Sequence, residues 1–224
     1  MDGMRIAIAG GHGQVARQLS RALAARGDVP VALVRQLGHV QDVVEDGAEG
    51  VVLDLERSNA RDVAEAVAGA DAVVFAAGAG PGSGAERKDT VDRGAAALLA
   101  EGAEQAGVRR YVLVSSMGAT SSPDPGTDEV FAAYLRAKAA SEDDLRTRDL
   151  DWTIVRPGRL TDGEPTGTVR LDAHVPFGEV TRADVAGVLA AVLHAPLTAG
   201  LVLELTAGVV PVEAAVAAVT EPAD

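Results

Sequence analysis

The sequence predicts an α/β protein, a doubly wound parallel sheet forming one domain over residues 1–224. Three observations carry this expectation. Short apolar runs alternate with amphipathic stretches along the whole chain. The runs are continuously apolar, the pattern of parallel strands buried on both faces. The first of them leads directly into a glycine turn and a helical pattern, as a right-handed βαβ crossover begins.

The strand runs fall at 5–9, 30–34, 50–53, 72–77, 111–115, 152–155 and 201–205. Helical patterns lie between them. The first spans 14–26, with Val15, Leu19, Ala22 and Leu23 on one face, and Gly27 stops it. Others fit 38–46, 59–68 (stopped by Gly69), 88–105 and 128–148, the last with Asp128 and Glu129 in a favourable first turn. A helix fits 182–194, ended by Pro196, and a short one fits 212–219. The stretches 79–85, 118–127 and 157–167 read as loops. All three follow strands, which places them at the carboxyl edge of the sheet, where ligands bind. Residues of about 157–180 and 200–224 are expected to form a small substrate-side extension.

Composition narrows the partners. Hydrophobic residues make up 47% of the chain and aromatics 3%, so small aliphatic side chains must build the core. The formal net charge of −13 argues against nucleic acid and against an anionic membrane surface. Any bound phosphate must then be held by local groups. Without cysteine, neither disulfides nor thiolate chemistry is available. No apolar stretch approaches membrane-spanning length. No cluster has metal-ligand spacing, so no metal is expected. The expectation is a cytoplasmic protein with a small-molecule substrate, monomeric or paired into a homodimer through helices 88–105 and 128–148.

The residues at the strand ends carry the chemistry. Gly10 turns the chain sharply off the first strand, Gly13 lets backbone approach a pyrophosphate, and Ala16 lets the helix pack on the strand. The helix N-terminus then faces the phosphates. The second strand ends at Arg35, where an NAD site usually carries an acid. A guanidinium there suits a 2′-phosphate and favours NADP over NAD, although a solvated arginine is the plainer alternative. Asp54 and Leu55 stand where adenine would be flanked, and Asp54 is equally suited to capping a strand. Small residues Ala76, Ala77 and Gly78 leave room for a cofactor or simply pack. Ser115 and Ser116 end the fifth strand. Tyr134 and Lys138, at i and i+4, share one helix face. The ammonium favours phenolate, which makes Tyr134 a candidate general acid.

In this order, Gly10-Gly-His-Gly-Gln-Val-Ala16, Ala32-Leu-Val-Arg35, Asp71-Ala-Val-Val-Phe-Ala-Ala-Gly78, Tyr111-Val-Leu-Val-Ser-Ser-Met-Gly118, Tyr134-Leu-Arg-Ala-Lys138 and Asp151-Trp-Thr-Ile-Val-Arg-Pro-Gly158 resemble the atypical short-chain dehydrogenase/reductases. That group is related to NmrA-like proteins, flavin reductases and biliverdin-IXβ reductases. The resemblance covers nearly the whole chain and implies a Rossmann fold. It also implies roles: Tyr134 transfers a proton, Lys138 holds the nicotinamide ribose, and Ser116 (or Ser115) orients the substrate. The implied cofactor contacts are Gly10, Gly11, His12, Gly13, Gln14 and Val15 in the loop; Arg35, Asp54 and Leu55; Ala76, Ala77 and Gly78; and Ser115, Lys138, Arg156, Pro157 and Gly158. Two departures are Ala16 for the third glycine and His12 within the loop. His12 reads as a loop residue near phosphate. His39, His174 and His194 read as structural or surface residues, and Glu142, Asp143 and Asp144 as a solvated helix face. The implied function is an NADP-dependent oxidoreductase passing hydride to a small carbonyl, quinone or flavin-like acceptor. A non-catalytic NADP-binding sensor and a redox-neutral epimerase or dehydratase are the alternatives. Related sugar enzymes usually carry a larger C-terminal substrate domain, and only 66 residues follow Gly158 here.

Overall fold

In β1 (Arg5–Ala9), alternate side chains turn to opposite faces, and both faces are apolar. Ile6 and Ile8 join one core, Ala7 and Ala9 the other. This computed structural model describes residues 3–80 and 82–221; residues 1–2, Pro81 in the predicted 79–85 loop, and 222–224 at the end of the predicted extension lie outside it. The next elements are α1 (Gln14–Arg26), β2 (Val29–Val34), α2 (Val40–Glu45), β3 (Glu49–Val52), α3 (Ala60–Val67) and β4 (Ala72–Phe75). A helical stretch follows: α4 (Ala85–Arg87), a π-helical segment Lys88–Ala95, and α5 (Ala96–Ala106). Then come β5 (Arg110–Val114), α6 (Glu129–Arg146), β6 (Asp151–Pro157), β7 (Arg159–Thr161), β8 (Thr168–Asp172), β9 (Glu179–Thr181), α7 (Arg182–Leu193), β10 (Val202–Ala207), β11 (Val210–Pro211) and α8 (Val212–Ala218).

The main sheet has the order β11-β8-β10-β6-β5-β4-β1-β2-β3. The chain runs outward from β1 to β3, then returns to β4 on the other side of β1. The strand order therefore reverses between β1 and β4, the place where open α/β sheets bind ligands. From β3 to β10 every pairing is parallel. One core packs α1 and α7 on one face through Leu19, Leu23, Val188 and Leu189. The other packs α3 and α5 through Val63, Leu99 and Ala103. This is the doubly wound Rossmann arrangement. Among the described residues no helix is long and apolar enough to cross a membrane.

Several boundaries differ from expectation. The helix predicted at 88–105 begins three residues earlier and carries the π segment. Asp128 lies just outside α6 as its cap, accepting a 3.0 Å hydrogen bond from the Phe131 N–H. The expected loop 157–167 contains β7, which pairs in parallel with β9. Strands β8 and β11 add an antiparallel edge that was not foreseen. β11 is only two residues long and gives no periodic signal, whereas β8 alternates buried Val169 and Leu171 with exposed Arg170 and Asp172, a period-2 pattern that the sequence does carry. Of the expected substrate-side extension, Pro157, Gly158 and Leu160 reach the ligand edge. Residues 200–221 instead build β10, β11 and α8, away from the cavities described next.

Candidate active site

The chain leaves β1 at Gly10 with φ of +76°, a left-handed conformation that suits glycine. A Cβ there would also lie 2.5 Å from the Ala77 Cα. Gly11 is buried against Ala32 and donates to the Leu33 carbonyl at 3.0 Å, so it fixes the turn rather than meeting a ligand. Gly13 is the exposed cap of α1, with extended backbone and no capping side chain. Its closest neighbour for an added Cβ is the Gly10 carbonyl oxygen at 3.1 Å. The first bond of the helix runs from the Arg17 N–H to the Gly13 carbonyl. The N–H groups of Gln14, Val15 and Ala16 therefore lack partners within the helix, and no acid stands in its first turn. A cradle of this shape, with free donors and a positive dipole end, fits a pyrophosphate.

Two cavities open on this edge. The first, about 340 Å³, lies between the loop, the end of β2 and the end of β3. Gly10, Gly13, Arg35, Asp54 and Leu55 line it, as expected. The second, about 300 Å³, lies between the ends of β4, β5 and β6 and holds Val15, Ser115, Ser116, Tyr134, Lys138, Pro157 and Gly158. Residues 76–80, including Ala76, Ala77 and Gly78, border both, so the two are continuous. A dinucleotide requires two adjoining compartments of this kind.

In the first cavity Arg35 is not alone. Its Nη1 lies 3.6 Å from Glu56 Oε2, and Glu56 also accepts from Arg87 and the Thr90 hydroxyl, both at 3.0 Å. The Arg87 hydrogen bond holds the Glu56 carboxyl below the usual carboxylate range. One histidine, His39, differs from expectation. His12 and His39 stack with ring centroids 3.8 Å apart, both line the cavity, and His12 Nε2 bonds Asp42 at 2.7 Å. His39 is thus part of the site. The turn after β2 brings it there, which spacing alone does not reveal. His194 is structural, bonded to the buried Asp28 at 2.8 Å, and His174 is 90% exposed.

The second cavity sorts the two serines. The Ser115 hydroxyl donates to Glu142 Oε1 at 2.5 Å and is spent there. Ser116 is half-buried and bonds only the next residue's carbonyl, at 3.2 Å. Ser116 is therefore the serine free to meet a ligand. Lys138 is buried; its Nζ donates to the Val114 carbonyl at 3.0 Å and lies 3.2 Å from Asp92 Oδ1. An ammonium has three donors, so one remains for the cavity. Its Nζ is 5.9 Å from the Tyr134 ring centroid, and the Tyr134 ring stacks on Phe131 at 6.0 Å.

Two expectations are corrected here. Arg156 lines neither cavity: its Nε and Nη2 grip the Glu142 carboxylate at 2.8 and 2.5 Å. That hydrogen bonding raises the Arg156 pKa despite its burial. Glu142 is not on a solvated face but fully buried, held by Arg156, Arg146 and Ser115. A buried carboxylate must be paired, and the partner arrives from β6, 14 residues along the chain. Asp92, fully buried beside Lys138, was also missed. A lone acid in a helical pattern gives no signal of burial.

Fold, loop and paired cavities define an NAD(P)-binding Rossmann protein with the side-chain set of an atypical short-chain dehydrogenase/reductase. The chain belongs to the NAD(P)H-binding family, whose model matches residues 10–196. It is 38% identical to a Bacillus halodurans protein described as an NAD-dependent epimerase/dehydratase, with a TM-score of 0.89 over 96% of this chain and 100% of that one. It is 26% identical to ChuY, an anaerobilin reductase from Escherichia coli O157:H7, with a TM-score of 0.77 over 91% and 97% of the two chains. It is 31% identical to the uncharacterised sugar epimerase YhfK of Bacillus subtilis, over 93% of this chain and 97% of that protein.

Proposed function

We propose an NADP-dependent oxidoreductase that reduces a small carbonyl, quinone or flavin-like acceptor. The observation that carries this reading is the meeting of Ser116, Tyr134 and Lys138 in a cavity continuous with the dinucleotide cradle. When bound, the dihydronicotinamide supplies the hydride. The N–H groups of Gln14, Val15 and Ala16 hold the pyrophosphate, and Arg35 pairs with the 2′-phosphate. Lys138 uses its remaining donor on a ribose hydroxyl. Ser116 donates a hydrogen bond to the acceptor oxygen, and Tyr134 gives that oxygen its proton. The Lys88 and Lys138 ammonium groups lie 5.4 and 5.9 Å from the centroid of that ring.

The test is consumption of NADPH, followed at the nicotinamide absorbance band, with flavins, quinones and aldehydes. Turnover with one of these classes is expected. Tight NADP binding by calorimetry with no turnover on any acceptor would leave a sensor. The descriptions of the two epimerase relatives favour a second reading, a redox-neutral epimerase. That activity would show no net NADPH consumption and a cofactor retained through purification.

A further inference from the structure

Of the 20 lysines and arginines in the chain, only Lys88 and Lys138 are lysines. Both ammonium groups lie over the same ring: Lys88 Nζ is 5.4 Å and Lys138 Nζ 5.9 Å from the Tyr134 centroid. Their surroundings differ. Lys138 is buried against Asp92. Lys88 is half-buried, lines the second cavity, and donates to the Gly80 carbonyl at 2.9 Å. Among the described residues no carboxylate lies within ion-pair distance of it. The one acid lining that cavity, Asp92, is already engaged by Lys138 and by the Ala79 N–H. The cavity thus keeps one uncompensated positive charge in a chain of net charge −13. The contrast with the arginines is physical. Arg35 and Arg87 face the neighbouring cavity and are both drawn to Glu56. The compact ammonium of Lys88 is left with two donors to spend on a ligand.

We propose that Lys88 receives an anionic group, carboxylate or phosphate, of the molecule bound in the second cavity. On the reductase reading, on which this identification rests, that molecule is the acceptor, and the protein selects acceptors that carry a negative charge. The ammonium sits beside the Tyr134 ring, so an acceptor anchored there presents its reducible atom to the tyrosine hydroxyl.

The test compares molecules with and without one anionic group: FMN with riboflavin (a phosphate), and 4-carboxybenzaldehyde with its methyl ester (a carboxylate). Each is bound to the NADP⁺-saturated protein, where no turnover occurs, by flavin fluorescence or calorimetry. The readout is the affinity ratio within each pair, for wild type, Lys88→Met and Lys88→Arg. The phosphate and carboxylate arms separate the two anion chemistries. The wild type is expected to favour the anion by about tenfold in one pair or both, as one charge-assisted contact provides. Lys88→Met should bring that ratio close to one, and Lys88→Arg should restore most of it. A wild type that binds or prefers neither anion overturns the proposal. So does an unchanged ratio in Lys88→Met, or a matching loss of NADP⁺ affinity, which would place the ammonium on the cofactor. An anion preference without NADPH consumption keeps the Lys88 subsite and removes the reductase. NADPH consumption without anion preference does the reverse.

Discussion

Tyr134 shows how much one side chain depends on its neighbours. Its ring stacks with Phe131 at 6.0 Å and has two lysine ammonium groups within 6 Å of its centroid. Tyr134→Phe removes only the hydroxyl. Turnover on a carbonyl acceptor should fall by roughly a hundred- to ten-thousandfold, the cost of a lost general acid. NADPH affinity by calorimetry should stay near wild type. Full activity on every acceptor would reduce the tyrosine to a helix face. Arg35 poses the cofactor question, because Glu56 competes for the same guanidinium and would repel a 2′-phosphate. Arg35→Ala should weaken NADPH by roughly ten- to a hundredfold, from about 1.5–3 kcal/mol of lost charge-assisted bonding, and leave NADH nearly alone. Glu56→Gln should shift preference further toward NADPH. Equal losses for both cofactors in Arg35→Ala would place the phosphate elsewhere. The residue types were legible: Ser, Tyr, Lys and Arg stand at the strand ends and on the helix face where the sequence puts them. The choice between Ser115 and Ser116 was not, because it depends on Glu142 reaching back from α6.

At the scale of elements, the π-helical segment Lys88–Ala95 does the most for the site. It carries Lys88 and Asp92, four residues apart, and both line the second cavity. Such segments recur at functional sites. The sequence reads there as an ordinary amphipathic helix, since the difference between i→i+4 and i→i+5 bonding is set by what the helix packs against. Asp92 is the hinge of this arrangement, joining the Ala79 N–H of the loop after β4 to Lys138 of α6. Asp92→Ala strips a buried ammonium of its counter-charge. A loss of about 3–5 kcal/mol in chemical denaturation is expected, along with weaker NADPH binding as residues 78–80 shift. Unchanged stability would mean that water or a carbonyl neutralises Lys138 equally well. The short turn from β2 into α2 acts similarly in the first cavity, since it carries His39 onto His12.

Across the whole molecule, acid stability follows from paired carboxylates. Hydrogen bonds from His12, Arg5, Arg87 and Arg93 depress the pKa values of Asp42, Glu49, Glu56 and Asp89. Burial pushes Asp46 upward, but Arg17 and Arg21 outweigh it and leave it depressed too. In the unfolded chain these groups return to about 3.9–4.3. A carboxyl whose folded pKa is depressed contributes stability that is present above its unfolded pKa and lost as pH falls through the folded one. The melting temperature should therefore drop as pH is lowered below about 4. A melting temperature that holds or rises through that window would show that these pairs contribute nothing to the fold.

The sequence by itself determined the strands β1 to β6 and β10 with the helices between them, the switch-point loop, and the residue types at the carboxyl edge. Each of these depends on periodicity, turn chemistry and spacing within a few residues. Tertiary structure alone decided which polar groups meet. Lys138 met Asp92 from another helix, Glu142 took Arg156 out of the cofactor's reach, His39 came to stack on His12, and Glu56 came to face Arg35. Sheet order and helix packing bring these residues together from 14 to 46 positions apart. A side chain's local sequence does not carry the identity of a partner so far along the chain.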